Sequence, residues 1–254
     1  MIKILKIRKN QGYQAIPDVR KAQIREPFRG LPSLNLSAEC GKCTICREIC
    51  PVGAISIKPL SIDIGKCIFC GDCERLCPSK FIKFSNFYKI SSTSREHLVV
   101  DGLETIDTYY SGAIEVRKEI KRIFGTSLKI RQVSAAGCNA CEWELNASGN
   151  ANFDMGRFGI DIVASPRHSD AILITGPISE NMAPALEDAY MCTPDPKIII
   201  LAGSCAISGG VFQGSPALNR IFLEKHKVDL YIPGCPVHPL TVVNGIIDFL
   251  GRKK

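Results

Sequence analysis

The chain has 254 residues, 45% of them hydrophobic, enough to bury a real core and to form one large or two small domains, so disordered and collagen-like readings are excluded. Lysine and arginine outnumber aspartate and glutamate by 32 to 25, yet residues 1–30 hold eight basic and two acidic side chains, or +6 of the net +7. The remainder is close to neutral, which argues against a nucleic-acid-binding face and so against a nucleic-acid partner.

In chain order, the leader MIKILKIRKN interrupts its apolar residues with charge too often to build the h-region of a signal peptide. Its I-K-I-L-K-I-R run is expected to form an edge strand or an arm lying on a partner subunit, with a membrane-surface role as the alternative. Elsewhere the apolar runs, such as IIILAG at 198–203, fall short of the roughly 18–20 residues of a transmembrane helix. No signal peptide and no membrane span are expected. A cytoplasmic chain keeps its thiols reduced, so the thirteen cysteines, an odd number that cannot all pair, are expected to be metal ligands.

Eight cysteines repeat one pattern with a period of 27 residues: Cys40, Cys43, Cys46 and Cys50 before Pro51, then Cys67, Cys70, Cys73 and Cys77 before Pro78. This is the bacterial two-cluster ferredoxin run, in which three closely spaced thiolates hold three corners of one cubane and the fourth cysteine reaches to the other. Cys40, Cys43, Cys46 and Cys77 are therefore assigned to one 4Fe-4S cluster, and Cys67, Cys70, Cys73 and Cys50 to a second. Paired zinc ribbons and a disulfide scaffold also use close cysteines, but neither calls for this doubled run. Each loop is followed by a short apolar stretch, AISI at 54–57 and FIKF at 81–84.

Residues 91–95, SSTSR, read as a linker, and Leu103, Ile106, Tyr110, Ala113, Ile114, Ile120 and Phe124 predict one amphipathic helix over 103–124, ending at Gly125. From 128 onward, LKIRQV at 128–133, AILITG at 171–176, KIIILAG at 197–203 and DLYIPG at 229–234 alternate with helical or loop segments. That alternation predicts a parallel sheet with helices on both faces, whose ligands gather beyond the carboxyl ends of the strands. Cys138 and Cys141 follow the first of these strands, Cys205 the third and Cys235 the fourth, each beside a glycine (Gly137, Gly203, Gly234). Together they predict a third 4Fe-4S cluster, against the alternative of isolated core cysteines. Cys192, on the helical segment SENMAPALEDAYMC, is left over as core or inert.

Four segments carry a resemblance: GCNACEWEL at 137–145, SPRHSDAILITGPISENM at 165–182, GSCAISGGVF at 203–212 and YIPGCPVHPL at 231–240. They resemble the small, proximal-cluster subunit shared by group 4 membrane-bound NiFe hydrogenases and complex I. FRGLPSLN at 28–35 and KCIFCGDCERLCP at 66–78 are similar to the two-cluster ferredoxin subunit of formate hydrogenlyase, so the chain resembles a fusion of the two. The resemblance implies a ferredoxin-like α+β module followed by a flavodoxin-like α/β domain. The boundaries are a basic arm at 1–34, the ferredoxin domain at 35–90, a linker and helix at 91–127, and the small-subunit-like domain at 128–254.

The resemblance further implies Glu144, Arg167 and His168 as tuning or proton-coupled residues beside the third cluster. His238 stands where the resembling families show an arginine, lowering local positive charge. Cys138 and Cys141 are two residues apart, as in the hydrogenase branch, whereas the complex I branch has adjacent cysteines. The implied function is electron relay, with no catalytic residue on this chain. It would run from a ferredoxin or formate dehydrogenase, through three clusters, to the NiFe site of a large subunit. Ion-translocating membrane subunits would complete the assembly, with this chain peripheral on the cytoplasmic face. A complex I-like delivery to quinone and a structural metal-binding assembly protein are the alternatives.

Overall fold

The computed structural model describes residues 2–12, 15–35, 43–103 and 105–252. Its first element, α1 (Ile2–Gln11), is a helix, so the edge-strand form of the leader, one of the expected readings, is not what forms. Ile4 and Leu5 are adjacent, so the alternation that a half-buried strand requires breaks down, while leucine, lysine and arginine are good helix formers. Residues 15–31 are anchored rather than free. Val19 is buried and its carbonyl accepts from Tyr88 Oη at 2.9 Å and Asn244 Nδ2 at 3.0 Å, and Arg20 pairs with Asp248 at 2.7 Å.

A small α+β unit follows: β1 (Pro32–Leu34), α2 (Ile45–Ile49), β2 (Ile55–Ile57), β3 (Leu60–Asp63), α3 (Asp72–Arg75), β4 (Ile82–Phe84) and β5 (Val99–Asp101). The apolar stretches after the two cysteine loops supply β2 and β4. β4 pairs antiparallel with β1, and β2, β3 and β5 form a second antiparallel sheet in that order. Cys46 and Cys73, equivalent in the repeat, are buried on the short helices α2 and α3.

The single helix expected over 103–124 is instead two, α4 (Ile106–Ala113) and α5 (Lys118–Phe124). Thr105 starts α4 with a reciprocal capping box to Thr108. The Ala113 carbonyl ends it by accepting from Thr93 N at 3.0 Å and Ser92 Oγ at 2.8 Å. Ile114 is then extended, and Leu103 lies before the helix, 80% exposed.

The remainder is an α/β unit: β6 (Leu128–Ser134), α6 (Ala140–Ser148), β7 (Ile160–Ile162), β8 (Ala171–Thr175), α7 (Ala183–Cys192), β9 (Ile198–Ala202), α8 (Ser204–Ser208), α9 (Ile221–Lys225), β10 (Leu230–Ile232) and α10 (Pro239–Phe249). The strands run parallel in the order β10-β9-β8-β6-β7, the flavodoxin-like order, and β7 is an edge strand that three residues of Ile-Asp-Ile did not announce. Chain direction switches between β6 and β8, so a crevice opens at their carboxyl ends.

The central strands read as continuous apolar runs because both faces are covered. Ile172, Ile174, Ile199 and Leu201 share one core with Ile55, Ile62, Phe69 and Phe84 of the α+β unit. The alternate residues Leu173, Ile198 and Ile200 pack with Val242, Ile246 and Phe249 of α10 on the other face. The two units are thus joined by a common core and not merely by a linker. Cys192, expected to be either core or inert, is exposed at the end of α7, so the core reading fails.

Candidate metal centres

In the α+β unit the two cysteine loops enclose two separate cavities. One is lined by Cys43, Cys46 and Cys77 with Ile45, Phe81 and Ile82. The other is lined by Cys50, Cys67, Cys70 and Cys73 with Ile55, Ile62 and Phe84. Each fourth cysteine therefore shares a cavity with the opposite loop. Cys40 lies outside the described residues. The pseudo-symmetry extends to the backbone: Ala54 N donates to Cys50 Sγ at 3.3 Å, and Phe81 N, 27 residues later, donates to Cys77 Sγ at 3.2 Å. Gly71 has a φ of +79°, and a Cβ there would collide with the Arg29 guanidinium.

At the sheet, four distant cysteines meet where the strands end. Cys138 and Cys141 come from the loop and helix after β6, Cys205 from α8 after β9, and Cys235 from the turn after β10. Cys205 is electrostatically coupled to Cys235 and Cys138, and Cys141 to Cys235 and Cys205, which places the four near one another. The backbone closes tightly on them. A Cβ on Gly203 would lie 2.6 Å from Cys141 Sγ, and one on Gly210 would lie 2.7 Å from Cys205 Sγ. Glu142, which sequence reasoning passed over, anchors the start of α6. Its Oε1 accepts from Ser134 Oγ at the end of β6 and from Thr175 Oγ1 at the end of β8, both at 2.6 Å. That contact spans the strand pair where the chain direction switches, and the signal in the sequence was only the acidic residue directly after Cys141.

Burial, reinforced by neighbouring thiols, pushes Cys67, Cys73 and Cys141 up to about 12 and Cys205 up to about 11. Thiols gathered in this way would release protons on binding a cationic metal. Among the described residues no group of three or more His, Cys, Asp or Glu could hold a metal ion as the side chains stand. The four thiols of a cubane bind four separate irons at its corners and need not converge on one point.

The other sequence-derived residues divide. Glu144 and His238 line a cavity of about 240 Å³ with Phe28, Arg29, Phe69 and Cys235, and burial raises the Glu144 carboxyl above its ordinary range. His238 is neutral: burial drives it down to about 4, and its Nδ1 accepts from Leu240 N at 3.1 Å, capping α10. Arg167 and His168 are not brought to the cysteines. They are exposed in the turn that precedes β8, at the opposite end of a parallel sheet from Cys138, Cys205 and Cys235. A strand of five residues separates those ends by about 17 Å.

Comparison with known proteins matches two separate parts of the chain. Residues 138–249 match the NADH ubiquinone oxidoreductase, 20 Kd subunit family, and residues 39–81 match a 4Fe-4S dicluster domain. A probable membrane-bound hydrogenase subunit of Pyrococcus furiosus is 36% identical over 129 residues, covering 51% of this chain and 77% of that one. The chain belongs to the 20 kDa subunit family. Within that family it is also similar to an NADH-quinone oxidoreductase subunit of Geotalea uraniireducens, 40% identical over 46% of this chain and 71% of that one. Formate hydrogenlyase subunit 7 of Escherichia coli is 42% identical over 53% of this chain and 51% of that one. The dicluster match makes this family member an iron-sulfur protein. Among its described residues no helix is long and apolar enough to cross a membrane.

Proposed function

We propose that this chain is the electron-relay subunit of a multisubunit, membrane-associated hydrogenase, carrying electrons from a low-potential donor to the NiFe site of a large partner subunit. The cysteines would hold three 4Fe-4S clusters: Cys40, Cys43, Cys46 and Cys77 the first, Cys50, Cys67, Cys70 and Cys73 the second, and Cys138, Cys141, Cys205 and Cys235 the third. Each bound cluster supplies a one-electron centre whose potential the protein sets through burial, hydrogen bonds to sulfur and nearby charge. The chain itself contributes no catalytic residue; its side chains bind and orient.

One contact carries the reading. Ser204 Oγ donates to the carbonyl of Cys67 at 2.6 Å and lies within reach of the Gly234 carbonyl at 3.2 Å. Ser204 directly precedes Cys205, and Gly234 directly precedes Cys235. A single buried hydroxyl thus ties a thiol loop of the second site to two thiol loops of the third, across the shared core. A protein with unrelated structural metals has no need of such a bridge. In the order first, second, third, the donor, a ferredoxin or formate dehydrogenase, docks at the α+β unit. The large subunit then sits at the sheet end, where Trp143 and Val211 are exposed beside the third site. The hydrogenase relatives and the two-residue spacing of Cys138 and Cys141 support protons rather than quinone as the final acceptor. Peripheral attachment at the cytoplasmic face, through membrane ion-translocating subunits, completes the proposal.

Anaerobic purification with iron analysis tests it: about twelve irons per chain are expected, four for each cubane. Cys205→Ala should lower that to about eight and leave the two α+β-unit signals intact in electron paramagnetic resonance. A zinc-loaded, iron-free protein would contradict the relay. A holocomplex that lacks nickel and reduces quinone would contradict the hydrogenase assignment while leaving the relay standing.

A further inference from the structure

Arg220, just before α9, aims its guanidinium at the other end of the helix that starts beside Cys205. Nη1 donates to the Pro177 carbonyl at 3.0 Å and the Cys205 carbonyl at 3.3 Å, and Nη2 donates to the carbonyls of Ala206 at 2.8 Å and Ile207 at 3.0 Å. These carbonyls belong to α8 and to the turn after β8, so the arginine closes off the C-terminal end of a short helix, where the Cys205 carbonyl also accepts from Gly209 N at 2.9 Å. Every one of these partners is neutral. No carboxylate among the described residues pairs with Arg220, whereas Arg95, the other arginine in the neighbourhood, is neutralised by Asp63 at 2.6 Å. A partly buried cation without a counter-ion is unfavourable on its own. The negative charge that would meet it is a cluster held by Cys205, whose own carbonyl the guanidinium contacts.

We infer that Arg220 is a positioning residue that supplies the countercharge of the third cluster and raises its reduction potential. The inference rests on the third cluster being held by Cys138, Cys141, Cys205 and Cys235. Reduction adds one electron, and so one negative charge, to the cluster. A fixed cation nearby favours the more negative state, and its removal favours the oxidised one. Glu142 acts in the opposite sense, with Ser134 and Thr175 holding its carboxylate next to Cys141. Because Glu142 is unchanged when Arg220 is replaced, the shift isolates the arginine.

The test is a redox titration of the full chain with dithionite and mediator dyes, following the third cluster's resonance. Its assignment is first fixed by the loss of that signal in Cys205→Ala, so that a missing third cluster is recognised before the arginine is judged. Arg220→Lys and Arg220→Gln both break the four-carbonyl fork, but only the second removes the charge. In Arg220→Gln the reduced-to-oxidised ratio of the third cluster at a fixed potential should fall about tenfold, about 59 mV for one electron. Arg220→Lys should stay near wild type, and the two clusters of the α+β unit should not move in either variant. Loss of the third signal in Arg220→Gln with retention in Arg220→Lys supports the same conclusion. Equal potentials in all three proteins, or equal loss of the signal in both variants, would overturn it and leave Arg220 as a structural clamp.

Discussion

At the scale of single residues, His238 shows how one side chain reconciles charge and packing near the third site. Its ring lies edge-on to Phe28 and Phe153, with centroids 5.2 and 5.9 Å away, and its unprotonated Nδ1 is the acceptor that starts α10. Protonation would remove the acceptor and bury a charge. The folded pKa of about 4 lies below the ordinary 6.5, so the imidazole's contribution is complete above pH 6.5 and is lost as pH falls toward 4. Protection factors of α10 amides, taken relative to the intrinsic exchange rate at each pH, should therefore fall through that window in the wild type. In His238→Asn, which keeps a capping oxygen but does not titrate, that fall should be absent. An identical pH profile in the two proteins would mean that the cap does not depend on the imidazole. The resemblance pointed to this position only as a missing arginine. Its capping role depends on the backbone turn after Cys235, which no local pattern encodes.

At the scale of elements, the turn between β9 and α8 shows a close approach built into the third site. Gly203 has φ +97° and ψ 152°, a region open in practice only to glycine, and Cys141 Sγ occupies the space that a side chain would need. Gly203→Ala should cost about 1–3 kcal/mol from backbone strain alone. It should also deplete the third cluster selectively, read as lost iron with intact α+β-unit signals, whereas full occupancy of all three sites would refute the close-approach argument. This glycine was legible in the sequence because it sits between an apolar strand and a cysteine. The β6, β8, β9 and β10 strands were legible for a similar reason, since long runs of β-branched residues covered on both faces have few other ways to fold. Where neighbours decide, the sequence alone misled. Residues 103–124 keep a helical pattern of apolar side chains, yet Ser92 and Thr93 claim the Ala113 carbonyl and split the helix. The leader has alternating charge, yet the Ile4–Leu5 pair undoes its strand period. Arg167 and His168 share a segment with the apolar run of β8, yet a parallel strand puts their turn at the far end of the sheet from the thiols.

At the scale of the whole molecule, the α+β unit and the parallel sheet behave as one body. Buried isoleucines of the sheet pack directly against Ile55, Ile62 and Phe84, and Ser92 bridges to Tyr231 of β10 through two backbone hydrogen bonds of 3.0 and 2.8 Å. This union gives the proposed relay a fixed geometry, because cluster sites on tethered domains would drift apart whereas sites sharing a core cannot. On the proposed assignment the thirteen cysteines would fall into three sets of four, leaving Cys192, which is exposed at the end of α7. The central claim is that electrons cross the second site to reach the third. Rapid-freeze electron paramagnetic resonance of the holocomplex, mixed with reduced ferredoxin, tests it most directly when wild type is compared with Cys70→Ala. The account predicts that the first cluster still reduces in the variant while the third stays oxidised on the wild-type timescale; reduction of the third cluster at an unchanged rate would contradict it.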